Sequence, residues 1–150
     1  MFEAKLKQLG IEVPEAPKPL AAYIPVIKTG NLVMTAGQLP MQNGELKSKG
    51  KVGVDVSVEQ AQNAAQICAL NCLSVIKSEI GSLDYIKRIV KLTVFVNSAD
   101  GFTSQPQVAN GASEFIVNIF GEAGKHVRAA VGVNELPIDA SVEIEMIAEI

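Results

Sequence analysis

Residues 125–150 read KHVRAAVGVNELPIDASVEIEMIAEI, and this carboxyl-terminal stretch guides the interpretation of the whole sequence. From Val142 onward, apolar residues alternate with glutamates, which predicts a β-strand with one apolar and one acidic face. An apolar run that begins at Arg128 precedes it. An acidic strand face is common at a protein surface. Beside a lone arginine, it can also form part of a pocket for a small carboxylated substrate, and the rest of the sequence must decide between these interpretations.

Composition limits the possible partners. The chain has 150 residues, of which 48% are hydrophobic and only 19% charged, and this predicts one domain that buries some surface by self-association. With a net charge of −3, the protein has no strong basic field for a nucleic-acid backbone. No segment approaches the roughly 20 apolar residues that a membrane-spanning helix needs. Without a visible signal peptide either, we expect a cytoplasmic protein.

The hydrophobic pattern predicts an α+β domain. An amphipathic helix and a linker occupy residues 1–19, and the remaining elements occupy residues 20–150. The predicted elements are strands in 23–28 and 31–35 around a Thr29-Gly30 turn, a helix from Ser57 to Gly81, a strand within 85–96, a helix that begins at Pro106, and two final strands. This order is typical of a mixed sheet with two helices packed on one face.

The other sheet face would then need a partner. We expect Ala130, Gly132 and Ile147 on this open face among polar residues, where they would be buried against other subunits.

Arg128 and Glu143 are the candidate catalytic residues. The guanidinium of Arg128 is always charged and can hold a carboxylate through two parallel hydrogen bonds. Glu143 and Glu145 share strand parity, and a carboxylate in a partly dry pocket can have a raised pKa and activate water. The alternatives are a structural salt bridge between Arg128 and one of these glutamates, and a solvated acidic face. A simple hairpin would not bring Arg128 opposite Glu143, so their contact needs another strand arrangement or another subunit.

Three further residues are candidates for substrate binding. Gly37 follows an apolar strand, where a glycine lets a ligand approach the backbone, although it is also typical of a strand-end turn. Tyr23 can line a pocket or be a half-buried strand aromatic. Asn110 and Gly111 are poor helix formers within a predicted helix, which indicates close packing or a ligand contact.

The remaining reactive side chains indicate no metal or nucleophile. His126 is the only histidine, and because no nucleophile is paired with it in sequence, we interpret it as a structural residue. Cys68 and Cys72 are four residues apart in a helical pattern, which is unsuitable for a disulfide, and two ligands do not make a zinc site. We therefore predict buried reduced thiols, no metal site and no cofactor.

Several motifs together resemble the reactive intermediate deaminase (RidA/YjgF) superfamily, also labelled L-PSP endoribonuclease-like. The resemblance runs from about residue 20 to residue 150. It rests on Gly30-Asn31-Leu32-Val33, Ala36-Gly37-Gln38-Leu39-Pro40, Asp100-Gly101-Phe102, Arg128, and Leu136-Pro137 before Val142-Glu143-Ile144-Glu145. The amino-terminal helix and the Gly124–Gly132 segment look like a longer-chain subgroup. The resemblance implies a chorismate-mutase-like (YjgF-type) fold and a homotrimer with clefts between subunits.

It also implies the activity, a cofactor-independent hydrolysis of enamines and 2-imino acids to 2-oxo acids and ammonia. Arg128 would hold the substrate carboxylate, Glu143 would activate water, Gly37 would supply backbone contacts, and Tyr23 and Asn110 would line the cleft.

This sequence departs from the family pattern at Ala36, where a serine is frequent, and at Ala130, where a cysteine is frequent. These differences favour the first alternative, a non-catalytic trimer that binds small carboxylates. The second alternative is an endoribonuclease or translation inhibitor, against which the acidic composition and the lack of a catalytic histidine pair argue.

Overall fold

The computed structural model describes residues 1–18 and 22–150. The α-helices are α1 (Phe2–Gln8), α2 (Val58–Ile80) and α3 (Gln105–Phe120). The strands are β1 (Val26–Thr29), β2 (Leu32–Thr35), β3 (Met41–Gln42), β4 (Glu45–Leu46), β5 (Arg88–Asn97), β6 (Val127–Val133) and β7 (Val142–Glu149). This is the α+β order that the sequence predicts, with β3 and β4 forming a separate small hairpin.

The five-stranded sheet has the order β1-β2-β7-β5-β6. The last strand, β7, lies at the centre and pairs antiparallel with both β2 and β5. The edge strand β6 pairs parallel with β5, a connection that needs a crossover, and α3 supplies it. As a result, β6 and β7 are consecutive in sequence but separated by β5.

Helices α2 and α3 cover one face of the sheet. Helix α2 begins with a capping box, in which Ser57 Oγ accepts from the N–H of Gln60 and Gln60 Oε1 accepts from the N–H of Ser57. It ends at Gly81, whose φ of 89° favours glycine. The core between these helices and the sheet is fully apolar at its centre, and its largest members include Leu73, Ile76, Leu92, Ile116, Ile144 and Met146. In the described part of the chain, no helix combines the length and apolarity needed to cross a membrane.

Helix α1 packs onto the same core. Its Leu6 is buried, and the rings of Phe2 and Phe120 lie 4.6 Å apart. The Asp84 carboxylate accepts hydrogen bonds from the Phe2 and Glu3 amides at 2.6 and 3.0 Å, which satisfies two free N–H groups at the helix start. The amino-terminal helix is therefore held by both apolar and polar contacts.

Two local predictions are wrong by a few residues. The first hairpin turns at Gly30-Asn31 instead of Thr29-Gly30, because Thr29 still pairs with Leu32 and Gly30 takes the positive φ of 58°. The first strand begins at Val26, so Tyr23 lies in the preceding bend and is 66% exposed.

The prediction for the open sheet face is correct for Ile147 but wrong for Ala130 and Gly132. In the parallel register of β5 and β6, these two residues align with Val94 and Val96, whose side chains face the helices. The open face nevertheless carries several apolar residues beside Glu143, Glu145 and Glu149. Its large apolar members are Ile27, Leu32, Met34, Phe95, Val127, Val131, Val133 and Ile147.

Candidate functional site

Arg128 lies on the helix-facing side of β6, where its guanidinium reaches α3. Its Nη1 donates to Asn110 Oδ1 at 2.9 Å and to Ser113 Oγ at 3.1 Å, and its Nη2 donates to the Pro106 carbonyl at 3.4 Å. Within one protomer, Arg128 forms no salt bridge with Glu143 or Glu145, because both glutamates project from the opposite face.

These contacts leave one edge of the Arg128 guanidinium available to bind a ligand. Both N–H groups of Nη1 are used by Asn110 and Ser113. Within residues 1–18 and 22–150, Nε has no hydrogen-bond partner, and Nη2 has only the long contact to Pro106. The Nε–Nη2 edge is a geometry that can bind a carboxylate through two parallel bonds. The guanidinium is thus held on one side and free on the other.

A serine and a histidine extend this network, a pairing that the sequence predictions do not include. Ser113 Oγ lies 2.9 Å from His126 Nε2, and His126 Nδ1 lies 2.6 Å from the Gly124 carbonyl oxygen. Two sequence spacings indicate such a cluster. Asn110 and Ser113 are three apart on one helix face, and His126 and Arg128 are two apart beside a strand.

The structure explains the Asn110-Gly111 pair within α3. Asn110 contacts Arg128, whereas Gly111 lies against α2. A Cβ on Gly111 would lie 2.7 Å from Gln62 Cα and 2.8 Å from its carbonyl carbon, distances that packed atoms do not adopt. The glycine therefore lets the two helices approach, and the asparagine beside it faces the arginine.

Glu143 and Gly37 form a second group, on the other side of the sheet. The Glu143 side chain lies directly over Gly37, where a Cβ would overlap Oε1 and lie 2.8 Å from Cδ. Backbone bonds between Gln38 and Ile144, at 2.8 and 3.0 Å, hold the two segments together. Neither the N–H nor the C=O of Gly37 has a hydrogen-bond partner in the described part of the chain. These groups remain available to a ligand beside the carboxylate.

The electrostatics of Glu143 suit a base. Partial burial raises the pKa of Glu143, and the negative charge of Glu145, on the same strand face, raises it further. The carboxyl group therefore holds a proton more readily than an ordinary glutamate, which makes it a better proton acceptor.

Tyr23 lies two residues before Pro25, in the bend that leads into β1. The Pro25 carbonyl accepts a hydrogen bond from the Ala36 amide at 2.7 Å, so the bend that carries Tyr23 borders the Ala36-Gly37 corner. Its exposed ring can contact a ligand or a neighbouring molecule.

Within one protomer, these two groups do not form a single site. The strands that carry Arg128 and Glu143 are separated by β5, a distance of about 10 Å, and the two side chains face opposite ways. A small substrate cannot contact both. Asn110 belongs with Arg128, whereas Gly37 belongs with Glu143.

The two cysteines are buried on the helix side of β7. Cys68 and Cys72 donate to the Val142 and Ile144 carbonyls at 3.6 and 3.3 Å, and both are free thiols. Burial raises the pKa of both thiols, that of Cys72 to about 12. They are therefore packing residues, as predicted. Among residues 1–18 and 22–150, no three His, Cys, Asp or Glu side chains are grouped to hold a metal ion.

Comparisons with known proteins agree with this architecture. The YjgF/chorismate mutase-like family, whose description also carries an endoribonuclease label, matches residues 3–150. Protein TCP17 of Trypanosoma cruzi is 43% identical over 98% of this chain and 92% of its own length. The solved structure of Atu1372 from Agrobacterium tumefaciens, a protein of unknown function, has 47% identity and a TM-score of 0.92, covering 99% of this chain and 92% of that one.

A more distant relative has an enzymatic name. The 2-iminobutanoate/2-iminopropanoate deaminase of Escherichia coli K12 is 28% identical over 92% of this chain and 94% of its own length. Together with the family match, these similarities confirm the predicted fold and family. The chain belongs to the YjgF/chorismate mutase-like family.

Proposed function

We propose that this protein hydrolyses 2-imino acids to 2-oxo acids and ammonia in clefts between the subunits of a homotrimer. The observation that carries the proposal is the held guanidinium of Arg128, whose free Nε–Nη2 edge fits the carboxylate of such a substrate. The enzymatic name of the E. coli relative supports the reaction class.

The chemistry needs few groups. Arg128 binds the carboxylate and so fixes the electrophilic imine carbon in one position. Glu143 takes a proton from a water molecule, whose oxygen forms a bond to that carbon as the C=N π electrons move to nitrogen. The protonated Glu143 then returns its proton to nitrogen, which gives a neutral carbinolamine. Glu143 next takes the hydroxyl proton of this intermediate and passes it to the nitrogen as the C–N bond breaks, the C=O bond forms and ammonia leaves. One water is consumed, and Glu143 ends ionised as it began.

We propose a cleft between subunits because, within one protomer, Arg128 and Glu143 lie on opposite faces of the sheet. Arg128 extends from an edge strand, whereas Glu143 lies on a sheet face that carries exposed apolar residues, including Val127 at 66% and Val131 at 42% exposure. Self-association through this face would bury the apolar residues. It would also allow Arg128 of one subunit to approach Glu143 of the next.

A coupled assay tests the proposal. An amino-acid oxidase generates the imino acid in situ, and release of 2-oxo acid and ammonia is compared with the spontaneous rate. We expect acceleration by the wild type and by Arg88→Ala, which removes the chain's other, exposed arginine. We expect none with Arg128→Ala. An Arg128→Ala variant that is as active as the wild type would remove the arginine from the mechanism.

A non-catalytic carboxylate-binding trimer is the second candidate. It is favoured by Ala130, which lies two residues beyond Arg128 on the same side of β6 and offers no polar group there. Calorimetric titration with 2-oxobutanoate separates the two functions. Binding without acceleration of any imine hydrolysis would support the binding protein.

A further inference from the structure

A chain of hydrogen bonds connects Arg128 to His126, the only histidine of the sequence. The chain runs from the Gly124 carbonyl through His126 and Ser113 to Arg128. None of the proposed catalytic steps uses His126 or Ser113. Both side chains are partly buried, so they are held against the protein and are not simply solvated.

The contacts of His126 fix its tautomer. A carbonyl oxygen can only accept, so at 2.6 Å from the Gly124 oxygen, Nδ1 must carry a proton. In the neutral ring, Nε2 is then an acceptor, and the partner 2.9 Å away is the Ser113 hydroxyl. His126 Nε2 therefore accepts the one hydrogen bond that the Ser113 hydroxyl can donate.

This arrangement turns the Ser113 oxygen toward the arginine as an acceptor. A hydroxyl group has one O–H donor and two acceptor lone pairs. Because its O–H donates a hydrogen bond to His126, the Ser113 oxygen accepts a hydrogen bond from Arg128 Nη1 at 3.1 Å. Asn110 Oδ1 accepts the other Nη1 proton at 2.9 Å. Because both N–H groups of Nη1 donate hydrogen bonds, the guanidinium plane is fixed and its Nε–Nη2 edge is already oriented for a ligand.

We propose that His126 is a positioning residue that acts through Ser113 to orient Arg128 for carboxylate binding. This inference rests on the proposed function for its ligand, but the geometry of the chain is independent of turnover. His126 does not need to touch the substrate. It holds the arginine in the binding geometry before the substrate arrives, so less conformational freedom is lost on binding.

Two substitutions at position 126 separate this role from simple loop stabilisation. The amide nitrogen of asparagine can take the place of Nδ1 and keep the bond to Gly124, but it offers Ser113 no acceptor. The amide oxygen of glutamine can take the place of Nε2 and keep the acceptor for Ser113, but it leaves Gly124 without its donor. A positioning role therefore predicts that His126→Asn is the more damaging change, whereas a loop-stabilising role predicts that His126→Gln is.

The first readout is the affinity for 2-oxobutanoate, measured by calorimetry. We expect His126→Asn and Ser113→Ala each to weaken binding about tenfold, as expected for the loss of one hydrogen bond to a charged group. His126→Gln should stay within about threefold of the wild type. The double variant Ser113→Ala/His126→Asn should bind no more weakly than Ser113→Ala, because the histidine acts through the serine. The reverse order of the two His126 variants, or additive losses in the double variant, would overturn the proposal.

The second readout needs no ligand. The sequence contains only Arg88 and Arg128, so selective ¹⁵N-arginine labelling gives two side-chain spin systems, and exposed Arg88 serves as the internal control. In the wild type and in His126→Gln, we expect separate Nη signals for Arg128, because its hydrogen bonds slow rotation about the Cζ–Nη bonds. In His126→Asn and Ser113→Ala, we expect faster rotation to average these signals. Arg128 signals that are as averaged as those of Arg88 in the wild type would refute the positioning role. Failure of the wild type to bind 2-oxobutanoate, with Arg128 still held, would instead refute the proposed function alone.

Discussion

Arg128 and Glu143 project from opposite faces of one sheet, and β5 lies between the strands that carry them. Each residue has its own set of neighbours, Asn110 and Ser113 for the arginine and Gly37 for the glutamate. If both act on one small substrate, they must come from different copies of the chain.

Subunit complementation tests this consequence. Arg128→Ala and Glu143→Gln should each be inactive alone, but after equal mixing and subunit exchange, clefts with both intact residues form again. For clefts shared by two subunits, random assembly should restore about a quarter of the wild-type activity. The measurement is imine hydrolysis before and after exchange. Activity that stays at the level of the separate variants would place both residues in one protomer's site or outside the mechanism.

The pH dependence of turnover should reflect the environment of Glu143. A base must be ionised, and because burial and Glu145 raise its pKa, the acidic limb of the kcat profile should lie above the range of an ordinary glutamate. Glu145→Gln removes one of the two causes and should shift the limb to lower pH. Glu149→Gln, on the same face of the same strand, is the matched control and should leave the limb in place. Equal shifts in both variants would contradict the assigned cause.

Two glycine-to-alanine changes should affect different properties. In Gly37→Ala, the new Cβ displaces only the flexible end of Glu143, so we expect kcat to fall about tenfold while the free energy of unfolding changes by less than about 1 kcal/mol. In Gly111→Ala, the Cβ meets the α2 backbone at Gln62, and we expect a loss of about 1–3 kcal/mol. Chemical denaturation and single-turnover kinetics measure both properties. A stable Gly111→Ala variant would show that the helix packing is looser than the structure indicates.

The buried thiols should be unreactive in the folded protein. Burial raises the pKa of Cys68 and Cys72, so the thiolate that attacks an aromatic disulfide reagent is scarce near neutral pH. We expect almost no labelling of the native protein and two labelled thiols per chain in denaturant. Rapid labelling of native protein, with intact secondary structure, would disagree with this packing.

Most of the fold could be predicted because its main signals are local. The Ser57–Gln60 spacing indicates the start of α2, and the alternation after Val142 correctly assigns the two faces of β7. The faces of β6 could not be assigned in the same way. Its residues after Arg128 are all small or apolar, so parity gives no contrast, and the orientation depends on the parallel register with β5.

The candidate site was predicted only in parts. Arg128 stands out because it is the charged residue at the start of an apolar run, and Glu143 because it belongs to the acidic face of an alternating strand. Ser113 does not stand out, since a serine on a helix is usually solvated, and its bond to His126 forms only because α3 packs beside the start of β6. Sequence spacing groups residues within α3 or beside β6, but the pairing between these two elements depends on tertiary structure.

The position of β7 has a consequence for biosynthesis. The central strand β7 is synthesised after both of its partners, β2 and β5, and without it the sheet would separate into a β1-β2 pair and a β5-β6 pair. A nascent chain still attached to the ribosome therefore cannot complete its core until residues 142–149 have left the exit tunnel. Until then, the unpaired edges of β2 and β5 are open to other strands, which makes the interval before β7 emerges a period of exposure to aggregation.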